Sequence, residues 1–337
     1  MSDSTDMSKD QITVTDAPAI SGLRFRHFRG ESDYPHVVAA LLSSAQVDKI
    51  ERSDTVEDMA KNYSRLTNCD PYHDMIFAEI EGEVIGYSRG WWWDEPASGR
   101  IYEFVGFLVP AWRRKGIGRA MLLWMENRLR EVATTHPTDQ DRFFQVSVSQ
   151  YQAGTRILLE RAGYQPVRYF HEMVRPSLDD IPDLPLPDGL EMRSALPEHY
   201  RSIWASVDET SQDEWGYTCE DYETWLSNFS HFQPHLWQIA WDSATQQVAG
   251  HVLTFIDHEQ NEKFKRKRGY TEGIGVGRAW RRRGLARALI ARSLQAQKAE
   301  GMTESALAVD SENVSTSLYE SCGFRVVRRD TIYRKPF

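Results

Sequence analysis

Two short runs carry residue types able to grip an anion. One is Arg281-Arg282-Arg283-Gly284-Leu285-Ala286-Arg287; the other is Arg113-Arg114-Lys115-Gly116-Ile117-Gly118-Arg119. Each follows a stretch of strand character and opens a segment whose apolar residues recur at helical spacing. A helix start leaves backbone N–H groups unpaired and carries partial positive charge, so it binds phosphate. Glycine at 284 or 116, with a small residue at 286 or 118, lets a ligand come close to the backbone. Flanking guanidiniums add charge-assisted hydrogen bonds. A solvated basic helix start has the same composition. Neither run has the GxxxxGK spacing of a nucleotide P-loop or the GxGxxG of a dinucleotide site.

The elements that must position these loops occur twice. Arg113 and Arg281 are 168 positions apart (281 − 113), and Gly163 in Leu159-Glu160-Arg161-Ala162-Gly163-Tyr164 is 160 (323 − 163) from Gly323 in Tyr319-Glu320-Ser321-Cys322-Gly323-Phe324. Two echoes in the same order point to duplication. In the first half, segments 75–81 and 83–92 flank Gly82 as a hairpin, 102–109 reads as a third strand, and 117–130 carries Ile117, Met121, Met125 and Leu129 on one helical face. A strand over 143–148, a short helix over 155–162 and a strand over 164–174 follow. The second half repeats this with strands at 236–241, 248–256, 269–276, 305–309 and 324–333. Its helices fall at 198–207, 219–229, 285–298 and 314–322. The proline- and aspartate-rich stretch 176–189 reads as a linker between domains 21–175 and 190–337, and the polar stretch 1–20 reads as a disordered tail.

The strand Thr271-Glu272-Gly273-Ile274-Gly275-Val276 stands out because glycines weaken a plain strand and mark bulges or close backbone approach. By alternation, Glu272 should share a face with Ile274 and Val276. A partly buried carboxylate can serve as a general base, although a surface carboxylate at a strand edge is the plainer reading. The run from Lys263 to Arg268 reads as a solvated loop. His231 and His235 are separated by Pro234, which argues against a helical metal pair.

The Arg-x-x-Gly-x-Gly/Ala loop between strand and helix, with the downstream Asn313…Tyr319-Glu320-x-x-Gly323-Phe324 segment, resembles the GCN5-related N-acetyltransferases (GNAT). The resemblance extends over both halves, and the tandem arrangement resembles the mycothiol synthase-like branch. It implies an α/β chain of two tandem GNAT-type domains, each a mixed, mostly antiparallel twisted sheet flanked by helices. It implies acetyl-CoA as co-substrate and no metal. The diphosphate would lie on residues 281–287 and the pantetheine along Ile274 and Val276, with Asn313 as a further contact. In the first half, Leu108 and residues 113–119 would be the matching contacts. Glu272 would help deprotonate the acceptor amine, and Tyr319 would protonate the departing thiolate. The first half departs from this pattern: Leu159 stands where Tyr319 should be, Ala153 where Asn313 should be, and Phe104 nine positions before Arg113, beside Glu103. Leucine cannot donate a proton, so the expected chemistry is in the C-terminal domain. The alternative is a non-catalytic acyl-CoA-binding or scaffolding tandem.

Composition agrees with two ordinary globular domains. The 337 residues are 41% hydrophobic and 26% charged. A net charge of −9 and a pI of about 5.6 argue against nucleic acid as a partner. Cys69, Cys219 and Cys322 form no CxxC or zinc spacing. No leader-like start and no bilayer-length apolar run appear, so the expectation is a cytoplasmic protein without membrane contact. Its partner would be a small-molecule amine, and it would be a monomer, as an internal pseudo-dimer, or a homodimer.

Overall fold

The computed structural model describes residues 10–96, 98–312 and 316–337. They form two compact units: Met1–Val167 with Thr331–Phe337, and Arg168–Asp330. The division expected at 176–189 therefore falls elsewhere. That stretch lies inside the second unit, because apolar residues interleaved among its prolines anchor it. Leu178 is buried in a core cluster and its N–H donates to the Thr303 carbonyl, while Leu186 packs against a second cluster.

In the first unit the chain runs β1 (Gln11–Ile12), β2 (Leu23–Arg26), α1 (Tyr34–Val47), α2 (Val56–Tyr63), β3 (Met75–Ile80), β4 (Glu83–Glu95), β5 (Gly99–Leu108), α3 (Ile117–Ala133), β6 (Arg142–Ser149) and α4 (Ala153–Arg161). The strands β1 to β5 are antiparallel neighbours in sequence order, and β5 runs parallel to β6. Residues 331–337 add beside β6, where the Phe337 N–H donates to the Arg142 carbonyl. The α3 stripe is buried as its spacing dictates, with Ile117, Met121, Met125 and Leu129 packed against Ile76, Ala78 and Phe144 of the sheet. Each such residue contributes about 1.5–3 kcal/mol by leaving water. The polar tail is ordered from residue 10: Val14 is buried in this core, and Ile12 and Ile20 pack on it. Residues 1–9 lie outside the described region.

A buried charge cluster closes this unit. The Arg334 guanidinium donates to both Glu95 carboxylate oxygens, at 2.8 and 2.9 Å, and to Gln145 Oε1 at 2.7 Å. Glu95, Gln145 and Arg334 are all buried. Removing one partner strands the other's charge in a low-dielectric interior. Arg334→Met is therefore expected to destabilise the chain by about 3–5 kcal/mol. The double variant Arg334→Met/Glu95→Gln should recover much of that. Urea unfolding of the three proteins checks both statements.

The second unit begins within β7 (Gln165–Arg175) and contains β8 (Leu190–Arg193), α5 (Tyr200–Ser211), α6 (Tyr222–Ser227), β9 (Gln238–Asp242), β10 (Val248–Val252), α7 (His258–Lys263), β11 (Arg268–Tyr270), β12 (Gly275–Val276), α8 (Leu285–Ala299), β13 (Glu304–Asp310), α9 (Thr316–Ser321) and the start of β14 (Arg325–Pro336). The antiparallel set is β8-β9-β10-β12. Strand β13 is parallel to β11 and antiparallel to residues 170–175 of β7. Gly250 on β10 admits α8 at close range: a Cβ there would meet Leu285 and Leu289 at 3.1 Å. The run 263–268 is not one solvated loop. It begins at the end of α7 and enters β11, with Arg266 donating to Gln260 and Tyr270 and Arg268 donating to Glu304.

Candidate active site

The stretch 269–276, expected as one strand, is broken in two. Up to Tyr270 it pairs with β13, the last parallel contact being Thr271 N–H to the Ala306 carbonyl. Beyond the break, Gly275 and Val276 pair with His251 and Gly250 of β10. The break is at Gly273, whose φ of +54° is the left-handed region that glycine enters at no steric cost. On one side residues 270–276 stay paired with the chain of β10 and its continuation, Tyr270 with Phe255, Glu272 with Leu253 and β12 with β10, while the pairing with β13 ends at Thr271, opening a fork between strands that start parallel.

This bulge shifts the alternation of side chains and corrects the face read from the sequence. Ile274 packs beneath α8 with Leu285, Leu289 and Ile290. Glu272 instead shares the face of Tyr270, beside Ala308 and Glu172. Its carboxyl pKa is pushed up to about 7: burial raises it, the Ala308 backbone N–H pulls it back, and the Glu172 charge raises it further. A carboxylate poised there exchanges protons near neutrality.

Tyr319 belongs to the α8 side. It is buried on α9 with Ile290, Leu294, Leu307, Val309 and Phe324, in the cluster against which Ile274 packs. The split strand therefore has a titratable carboxylate on one side and a phenol-bearing core on the other. Asn313 lies outside the described residues.

Next to the fork, residues 281–284 form a tight loop. Arg282 has φ +66° and Gly284 φ +85°; the corresponding Arg114 and Gly116 have +64° and +90°. Left-handed residues in such a turn aim successive N–H groups into one concavity. Neither α8 nor α3 has a side-chain N-cap, so no capping side chain takes up the N–H groups of their first turns. Leu285 and Ile117 are fully buried and anchor the helix starts, while Ala286 and Gly118 stay small beside the loops.

The arginines divide into two groups. Arg282, Arg283 and Arg114 are exposed at the loop tips, and Lys115 lies over the Trp112 ring at 4.2 Å. Arg281 and Arg113 instead fasten the loop to the strand before it. Arg281 donates through Nε to the Val276 carbonyl and through Nη2 to Asp213. Arg113 donates through Nε to the Leu108 carbonyl and doubly to Asp48, at 2.6 and 2.9 Å. Asp213 also accepts from Arg278, and these hydrogen bonds hold its carboxyl below the usual range. Arg287 reaches Ser321 at the end of α9, and Arg119 lies 4.0 Å from Asp16. Sequence reasoning missed Asp48 and Asp213. Each follows the first helix of its unit, but no motif marks it.

In the first unit, Phe104 and Leu159 are buried core residues. Glu103 faces Gln145 and Arg334; burial pushes its carboxyl up to about 7, while both partners pull it down. Strand β5 continues without a break from Gly99 to Leu108.

The Acetyltransferase (GNAT) family model matches residues 42–141 and 200–324, more than half of the chain. The protein is a member of the GNAT family. Its GNAT relatives include the mycothiol acetyltransferase of Geodermatophilus obscurus, 27% identical over 276 residues that cover 78% of this chain and 82% of the relative. The mycothiol acetyltransferase of Thermobifida fusca is 27% identical over 67% of this chain and 72% of its own. In fold, the chain matches a GNAT from Sphaerobacter thermophilus with a TM-score of 0.75 and 23% identity, over 96% of this chain and 97% of that one. A tandem GNAT protein from the clavulanic acid biosynthesis pathway matches with a TM-score of 0.62 and 16% identity, over 93% of this chain and 98% of that one. The protein is thus an N-acetyltransferase with a tandem GNAT organisation, and GNAT acetyltransferases use acetyl-CoA. Among the described residues, no helix is long and apolar enough to cross a membrane, and no cluster of His, Cys, Asp and Glu could hold a metal ion.

Proposed function

We propose that the second unit transfers an acetyl group from acetyl-CoA to a primary amine by direct attack on the thioester. The observation that carries this reading is the strand broken at Gly273, with Glu272 on one face and the Tyr319 cluster on the other. The uncapped start of α8 and the loop amides of residues 281–287 hold the diphosphate. The pantetheine lies along Ile274 and Val276, where the ladder with β13 has ended and the edge facing away from β10 can present an N–H to the thioester carbonyl. Asn313 supplies a further contact. Glu272 takes a proton from the acceptor ammonium, and the neutral amine nitrogen bonds to the acetyl carbon. The carbon–sulfur bond then breaks, Tyr319 protonates the thiolate, and the second proton lost by the attacking nitrogen returns through solvent to the phenolate, giving a neutral N-acetyl product and free coenzyme A. The name carried by the curated relatives, mycothiol acetyltransferase, supports a small-molecule acceptor. The first unit keeps Leu108 and residues 113–119 but lacks the acid at Leu159, so it does not turn over.

The test is a panel of primary amines assayed by release of free thiol, run on the whole chain and on Ala286→Glu. A carboxylate in the first turn suits the helix dipole but repels a diphosphate. That variant should keep its melting temperature and lose about tenfold or more in acetyl-CoA affinity. Unchanged affinity would show that the diphosphate does not bind at α8.

A further inference from the structure

The two phosphate-type loops share a backbone conformation but differ in what covers them. A Cβ at Gly284 would meet nothing within 4 Å; one at Gly116 would meet Pro18 Cβ at 3.2 Å and Cγ at 3.5 Å. Pro18 belongs to an arm laid along α3. The arm is fixed at one end by β1 pairing with β2 and by buried Val14, and at the other by Ile20 on the same core. Thr13 and Thr15 border a groove with Leu123, Trp124 and Asn127 of α3. Between these anchors the chain is tightly turned: Asp16 has φ +59°, and the Ile20 N–H donates back to the Pro18 carbonyl at 2.8 Å. Asp16 also sets a carboxylate 4.0 Å from the Arg119 guanidinium, in the first turn of α3. A proline ring thus lies against the Gly116 loop, and a carboxylate lies beside the guanidinium of Arg119, one of the cations that would otherwise meet a diphosphate.

We propose that residues 13–20 form a built-in strap that closes the first unit's loop to coenzyme A, so that the chain binds one coenzyme per molecule, at the second unit. This rests on the diphosphate reading of the residue 281–287 loop and adds the stoichiometry that the strap imposes. A ligand entering at Gly116 would have to displace Pro18 and compete with the Asp16 carboxylate for the Arg119 guanidinium. The second unit meets no such barrier at Gly284.

Calorimetric titration of the full chain with coenzyme A tests this. The wild type should bind one equivalent. Asp16→Gly/Pro18→Gly, which alters one exposed and one half-buried position and keeps Val14 and Ile20, should bind two. Adding Gly118→Glu to that variant should return it to one. Two equivalents in the wild type, or one in the opened variant, would overturn the strap. No binding by any of the proteins would overturn both the strap and the diphosphate assignment. A wild-type measurement stands beside the variants: with nitrogen-labelled glycine, coenzyme A should shift the Gly284 amide resonance and leave Gly116 in place. Equal shifts at one midpoint would refute the closure.

Discussion

Tyr319→Phe should lower kcat by about two orders of magnitude while acetyl-CoA binds as before. The hydroxyl is the one group of the Tyr319 side chain that phenylalanine lacks, and the ring keeps its place among Ile290, Leu307, Val309 and Phe324. Packing and fold are thus preserved. The loss falls on the step in which the carbon–sulfur bond breaks and the thiolate needs a proton. An interaction made only in the transition state lowers kcat and kcat/KM together. Steady-state thiol release, with calorimetry for acetyl-CoA, reads both quantities. Full turnover in Tyr319→Phe removes the tyrosine from that role.

Glu272→Gln should cost about 10²–10³ in kcat/KM at neutral pH. The pH profile distinguishes a base from a mere binding contact. With its carboxyl at about 7, wild-type activity should rise as pH passes through that value, because only the ionised form accepts a proton. The Gln variant should lack that limb and keep only the rise set by the amine's own ionisation. Its deficit should therefore shrink toward alkaline pH. Stability should move in the opposite sense. A carboxyl whose folded pKa is raised above the unfolded value of about 4.3 favours the folded state fully below that value and loses the benefit as pH climbs through 7. Glu272→Gln should therefore melt increasingly above the wild type between pH 5 and 8. A flat activity profile in the wild type would exclude Glu272 as the base.

The periodic parts of the fold were legible in the sequence. The α3 and α8 stripes, the hairpin around Gly82 and both glycine loops formed where apolar spacing and helix-start chemistry put them. What was not legible depends on tertiary placement. Alternation puts Glu272 and Ile274 on one face, and only the left-handed Gly273 separates them. The prolines of 176–189 look like a linker until Leu178 and Leu186 are seen in core clusters. The polar arm ahead of Ile20 looks disordered because Val14 and Ile12 are too few to show a pattern. Nothing local in the sequence reveals the carboxylates of Asp48 and Asp213 that hold Arg113 and Arg281.

The duplicate of Gly273 at the 168-residue spacing is Val105, which lies within the unbroken β5. Divergence between the copies is therefore written into the main chain as well as into the side chains. A tyrosine and a glutamate grafted at Leu159 and Phe104 would enter a strand whose alternation was never interrupted. The descendants of one ancestral module have become mechanically inequivalent, and changing side chains alone does not make them interchangeable again.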